Sequence, residues 1–145
     1  MKTFQLEGSL RDIVGKKPTK AIRVNESIPC VLYGGKENIH FEVKNSNVRK
    51  LIYTPEIFLV ELTIGSNTYK AIMKDLQFHP VTDKVLHIDF LEVNENKPIT
   101  MLVPIKLQGL AQGVKSGGKL IQEMRLLKVK ATYDKIPENV SVDVT

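Results

Sequence analysis

Two short stretches hold the side chains best equipped for chemistry. Gln77-Phe78-His79-Pro80 and His87-Ile88-Asp89-Phe90 flank the segment Val81–Lys84. Along a strand, side chains two apart share a face. His87 and Asp89 therefore point one way, while Ile88 and Phe90 point the other way, into a core. Gln77 and His79 are paired likewise. If Val81–Lys84 closes a hairpin, all four polar groups fall on one exposed sheet face.

Four uses of such a cluster compete. As a zinc site, His79, His87 and Asp89 supply three ligands at most, and no fourth stands at the usual spacing. As the acid and base of a small RNA-cleaving or hydrolytic enzyme, His79 and His87 would need a nucleophile or an oxyanion device, and neither is apparent. As a polar binding face, Gln, His and Asp donate and accept hydrogen bonds in the manner that reads base edges and ribose 2′-hydroxyls in a shallow groove. The plainest use is hydrogen bonding that serves only the turn. Binding accounts for the most residues.

A second concentration is electrostatic. The stretch from Arg11 to Arg23 carries five basic residues and one acid, or +4, whereas the whole chain is +5. After Pro18 a helix over Thr19–Asn25 is expected, with Thr19 able to cap its first turn. Ile22 would face the core there, and Lys20 and Arg23, three apart, would share another face. Lys16 and Lys17 would lie on the loop that feeds this helix. Lys and Arg so arranged suit a phosphate backbone, because each contact releases condensed counterions. A solvated loop that only aids solubility is the alternative.

Single residues say less. Tyr33 ends an apolar run, Ile28–Tyr33, and its ring suits packing on a ribose or base, although the edge of a core is an equally ordinary place for it. Gly34-Gly35 serves a turn, since no GxxxxGK[ST] or GxGxxG phosphate motif accompanies it. Cys30 is the only cysteine. A lone thiol forms no internal disulfide and no CxxC zinc site, fits a reducing compartment, and reads as a small buried hydrophobe.

The elements that would position these groups are mainly strands. Apolar and polar residues alternate at Phe4–Leu6, Ile39–Val43, Phe58–Ile64, Tyr69–Met73 and Ile88–Phe90, with a turn at Gly65-Ser66-Asn67. A second short helix is expected over Asn47–Tyr53, with Ser46 as its cap and Val48, Leu51 and Ile52 inward. At Asn94–Pro98 the composition turns polar, which reads as a linker. Beyond it Ile99 to Leu107 alternate, a glycine-rich stretch follows, Ile121–Leu127 is helical or extended, and Val140, Val142 and Val144 alternate up to Thr145. The expected fold is mainly β with short helices: a small β-barrel over residues 1–93 and a second β domain over 94–145 that reads as unfinished. No stretch approaches the ~20 apolar residues of a membrane span.

Taken in order, these pieces resemble one family. The matching stretches are Arg11…Gly15-Lys16…Thr19-Lys20…Arg23, then Ile28–Gly35, Lys74–Pro80 and Leu86–Phe90. In the second part they are Val103-Pro104-Ile105, Gly109…Gly113-Val114-Lys115…Gly117-Gly118 and Ile136-Pro137…Val142-Asp143-Val144. The chain resembles the bacterial large-subunit ribosomal protein number twenty-five in its long two-domain form, the general stress protein CTC family. The QxHP…HxDF pair is the most specific element of that likeness. The resemblance implies a barrel seated in the widened minor groove of an internal loop of 5S ribosomal RNA. It implies Arg11, Lys16, Thr19, Lys20, Arg23 and Tyr33 as backbone contacts, and Gln77, His79, His87 and Asp89 as the groove-facing set; Lys17, on the basic loop beside Lys16, is expected to bind RNA by its charge and place. Two positions depart from the pattern: Phe78 stands where many short relatives have arginine, and Ala21 where a basic residue is common.

The expectation is a structural RNA-binder rather than an enzyme, with no cofactor and no metal. It would be cytoplasmic, on the ribosome and away from any membrane, a monomer when free, and flanked by other large-subunit components. A stress-related protein-interaction module in residues 99–145 is a reading that would coexist with it.

Overall fold

In the computed structural model of the chain, residues 2–11 and 16–145 are described, the side chain of Lys16 excepted. Asp12 to Gly15 of the basic stretch, and the expected phosphate contact at Lys16, lie outside that set.

Six strands make the first unit: β1 (Lys2–Leu10), β2 (Ser27–Tyr33), β3 (Ile39–Lys44), β4 (Phe58–Ile64), β5 (Asn67–Phe78) and β6 (Val85–Glu92). They close a barrel in the order β1-β3-β2-β6-β5-β4. Most neighbours are antiparallel, but two seams are parallel. One pairs Lys2–Gly8 with Phe58–Ile64; the other pairs Cys30 with Ile88 and Tyr33 with Leu91. Closure leaves no free edge to template aggregation.

Alternation explains the inside of this barrel. Leu6, Ile28, Cys30, Leu32, Phe41, Val43, Val60, Leu62, Ile64, Ala71, Ile88 and Phe90 are buried together, each large aliphatic contributing about 1.5–3 kcal/mol. The Phe41 and Phe90 rings lie 5.8 Å apart at the centre. Gly8 makes room for one of them, since a Cβ there would stand 2.7 Å from Phe41 Cδ2. The hairpin between β4 and β5 turns at Gly65, whose φ of +61° is the left-handed conformation glycine adopts without penalty.

Two helices sit on this barrel, and both begin earlier than expected. Helix α1 runs Lys16–Val24, not from Thr19, and packs on β2. Pro18 lies in its first turn, where a missing N–H has no intrahelical acceptor to lose. Thr19 is thus inside the helix and is not its cap. Helix α2 runs Asn45–Ile52 from an extended Lys44 that makes no side-chain capping bond, so Ser46 does not cap it either. Val48 and Leu51 enter the core as their spacing requires.

The second unit is a three-stranded sheet ordered β8-β7-β9. Strand β7 (Ile99–Gln108) runs antiparallel to β8 (Leu126–Ala131) and parallel to β9 (Val140–Asp143). Between β7 and β8 lie the short helix α3 (Gln112–Lys115) and an irregular stretch. Ile121–Arg125 therefore has no regular structure; the extended part starts only at Leu126.

The two units share an apolar cluster. Ile57, Leu59, Ile72 and Val93 of the barrel side are buried with Ile99, Met101, Val103 and Ile136. This explains why Leu59 and Val60, and again Ala71 and Ile72, are buried consecutively. The inner face of each pair fills the barrel, and the outer face is covered by the second sheet. Lys74 crosses the same boundary, its ammonium donating to the Thr100 carbonyl at 2.9 Å.

Candidate nucleic-acid interface

The β5–β6 hairpin carries the most specific motif. Its register sets Gln77 opposite His87 and Asp75 opposite Asp89. His87 and Asp89 share the outward face, with Nδ1 and Oδ1 2.8 Å apart and both side chains about three-tenths exposed. The pairing of β2 with β6 then sets Val31 beside Asp89, and Tyr33 follows two residues on, on the same face. Burial, then the charges of Asp89 and Asp75, hold the Tyr33 phenol above its ordinary range. Gly34 turns the chain sharply after Tyr33 at φ +94° and lies against Leu91.

His79 is placed differently from the expected quartet. The register slips between Gln77 and Phe78, the strand ends at Phe78, and His79 begins the turn. Its Nδ1 accepts the backbone N–H groups of Val81 and Thr82 at 3.2 and 3.1 Å. Its own N–H donates to the Lys84 carbonyl at 2.7 Å, and Asp83, at φ +56°, donates back to the His79 carbonyl. Four polar side chains on one sheet face is therefore corrected to three, Gln77, His87 and Asp89, with His79 building the turn at their end.

The basic stretch is tied to this hairpin. Arg23 forks onto the carbonyl of Leu86, donating from Nε at 3.2 Å and from Nη2 at 3.0 Å. Leu86 immediately precedes His87, so the end of α1 is held beside the strand that carries His87 and Asp89. Arg11, just past β1, donates from Nη2 to the Thr19 hydroxyl at 3.1 Å. Its backbone N–H bonds His40, and its Nε is buried without a partner among the described residues. Lys17 and Lys20 are exposed on α1. The Thr19 hydroxyl, read from sequence as a cap, instead positions Arg11. Phe78 is nearly half exposed.

Sequence reasoning missed Asp75. Its pairing with Asp89 was hidden by the bulge at Lys74, and no spacing rule in one strand shows which residue will face it from the next. Among the described residues, no group of three His, Cys, Asp or Glu side chains stands close enough to hold a metal ion. A separate groove of about 930 Å³ lies between barrel and second sheet, lined by Phe58, Leu76, Leu102 and Leu126 among others. It shares no residue with the polar face.

Two family models match successive parts of the chain. Residues 6–90 match the family model described as Ribosomal L25p family, and residues 98–145 match that of ribosomal protein TL5, C-terminal domain. The chain is similar to the large ribosomal subunit protein bL25 of Porphyromonas gingivalis, at 60% identity over 147 residues covering 100% of this chain and 77% of the relative. It is 54% identical to that of Azobacteroides pseudotrichonymphae over 145 residues, 99% of this chain and 77% of the relative. With that of Bacteroides fragilis it shares 49% over 150 residues, 100% of this chain and 76% of the relative. A barrel with a basic helix pinned to a QxHP…HxDF hairpin, matched along nearly its whole length, makes this chain a member of the ribosomal L25p family.

Proposed function

We propose that this protein is a structural component of the large ribosomal subunit that binds 5S ribosomal RNA, seating its barrel in the widened minor groove of an internal loop. It is a ribosomal protein and not an enzyme, and it works on the ribosome in the cytoplasm, beside other large-subunit components. When free it is a monomer. Residues 1–93 form the RNA-binding domain and 94–145 the second, β domain.

The observation that carries this reading is the Arg23–Leu86 fork. It sets a cationic helix next to outward polar side chains, so one RNA element reaches both. Arg11, Lys16, Lys17, Lys20, Arg23 and Tyr33 contact the backbone, with Thr19 holding Arg11 in place. Gln77, His87 and Asp89 face the groove, and His79 offers its Nε2 edge from the turn. Phosphate contacts give affinity and register, while the groove-facing set gives selectivity.

Gel-shift titration against 5S RNA and an internal-loop mutant of it tests this. With about five phosphate contacts, log affinity should fall with log salt at a slope of about −4 to −5. Asp89→Ala should erase the preference for the internal loop over plain duplex with little change in slope. Binding that ignores salt, or an Asp89→Ala protein weakened equally on every RNA, would defeat the assignment.

A further inference from the structure

Asp75 is an acid on the outward face of the β5–β6 hairpin that the reading above does not use. It lies directly opposite Asp89, exposed, at a place the strand reaches only because of the bulge between Met73 and Asp75. The extra residue, Lys74, is drawn off to the second sheet through its bond to Thr100. No described basic side chain pairs with Asp75; its Oδ1 accepts the Leu76 N–H at 2.8 Å. Asp89 by contrast has His87 beside it. Like charges placed directly across two strands are destabilising. Both carboxylates are felt at the Tyr33 phenol, which puts Tyr33, Asp75 and Asp89 in one neighbourhood.

We infer that Asp75 is a specificity-determining residue, which acts with Asp89 to accept hydrogen bonds from guanine 2-amino groups in the RNA minor groove. This rests on the RNA-binding reading above. An ionised carboxylate is an acceptor only, and it is repelled by every phosphate that comes near. A minor groove offers it two kinds of donor: the guanine 2-amino group, the only base-edge donor there, and the ribose 2′-hydroxyl. The hydroxyl is present at every nucleotide and discriminates nothing, whereas the amino group marks a G-containing pair. Two carboxylates on adjacent strands thus reward RNA that presents amino groups at that spot. They penalise plain backbone by repulsion, so selectivity comes partly from rejecting the wrong site. The lysines and the arginine of the neighbouring helix supply the attraction that this repulsion offsets.

Asp75→Asn tests the idea, because the amide keeps the oxygen that accepts the Leu76 N–H and removes the charge; circular dichroism checks that the barrel is intact. Full-length wild type and variant are titrated with 5S RNA, with the same RNA carrying inosine (which lacks the 2-amino group) for guanosine in the internal loop, with a 2′-deoxy version of that loop, and with plain duplex RNA. Inosine should weaken wild type about tenfold, as expected for a bond to a charged acceptor, and weaken the variant clearly less. The variant should also bind plain duplex more tightly than wild type does. Equal loss on inosine substitution in both proteins overturns the proposal. So does a variant weakened equally on all RNAs, which marks a purely structural carboxylate, and so does coupling to the 2′-deoxy change in place of inosine. A wild type that does not prefer 5S RNA to duplex defeats the underlying RNA reading, and this inference with it.

Discussion

Arg23 and Leu86, 63 residues apart in the chain, meet through a fork of two guanidinium donors on one carbonyl oxygen. Charge and position are thereby combined in one side chain, and they can be separated. Lysine keeps the charge but cannot reproduce the planar fork. Arg23→Lys should bind 5S RNA several-fold more weakly at an unchanged salt slope, because the helix is less well placed. Arg23→Ala should lose affinity and also flatten the slope by about one unit, with a stability cost of about 1 kcal/mol for the lost bond.

His79 should matter for stability before it matters for RNA. Two turn N–H groups depend on its Nδ1, and losing both bonds costs about 1–2 kcal/mol. His79→Ala should show this in urea denaturation. His79→Asn should recover part of it, since an Asn oxygen accepts from the same kind of turn. An Ala variant of unchanged stability would mean that the ring does not build the turn.

The Tyr33 phenol should titrate late. Burial and the Asp89 and Asp75 charges raise it above the ordinary 10.0. A folded-state value above the unfolded one gives stability that is complete below the unfolded value and is lost as pH climbs through the folded one. Difference absorbance between wild type and Tyr33→Phe isolates this group. In Asp89→Asn the midpoint should move down, though not to the ordinary value, because burial is the larger cause.

Cys30 is fully buried at the centre of β2, and burial followed by the Asp89 charge pushes its thiol up. A thiol reagent should leave it untouched in the native protein at neutral pH and modify it fully in denaturant. Fast native labelling would mean that the β2–β6 seam opens readily.

Ile72 belongs to the shared cluster and is fully buried on the outer side of the barrel. Ile72→Ala should cost about 2–5 kcal/mol. Hydrogen exchange should show the Met101 and Val103 amides losing protection along with those of β5, since one cavity touches both units.

The barrel's inward face was legible in the sequence, because Val60, Leu62, Ile64, Ile88 and Phe90 alternate as half-buried strands must. Leu59 and Ile72 were not legible as core: their burial depends on a second sheet arriving on the outside, and a strand's own period carries no sign of that. Strand β8 escaped for the opposite reason. Its residues are mostly exposed, so Leu126–Ala131 lacks the contrast between faces on which pattern reading depends. The neighbourhood of His87 and Asp89 was legible from two-residue spacing. The slip that takes His79 off the sheet was not, because bulges follow from the partner strand's register. Thr19 looked like a cap by residue type and proved to be a partner for Arg11, a tertiary contact that overrides local preference.

Because β2 is hydrogen-bonded to β6 in parallel, a nascent chain that ends before Ile88 has nothing to pair with the far side of Cys30. Leu86, the anchor of Arg23, lies at the start of that same late strand. The basic helix is made early but takes up its station only once the last strand of the barrel is synthesised and seated. Such long-range closure is slow relative to local hairpins, so a partly made chain carries its positive charge without the means to aim it. The charge of the helix and the polar face of the hairpin are thus brought side by side only when the final strand of the barrel's wall is in place.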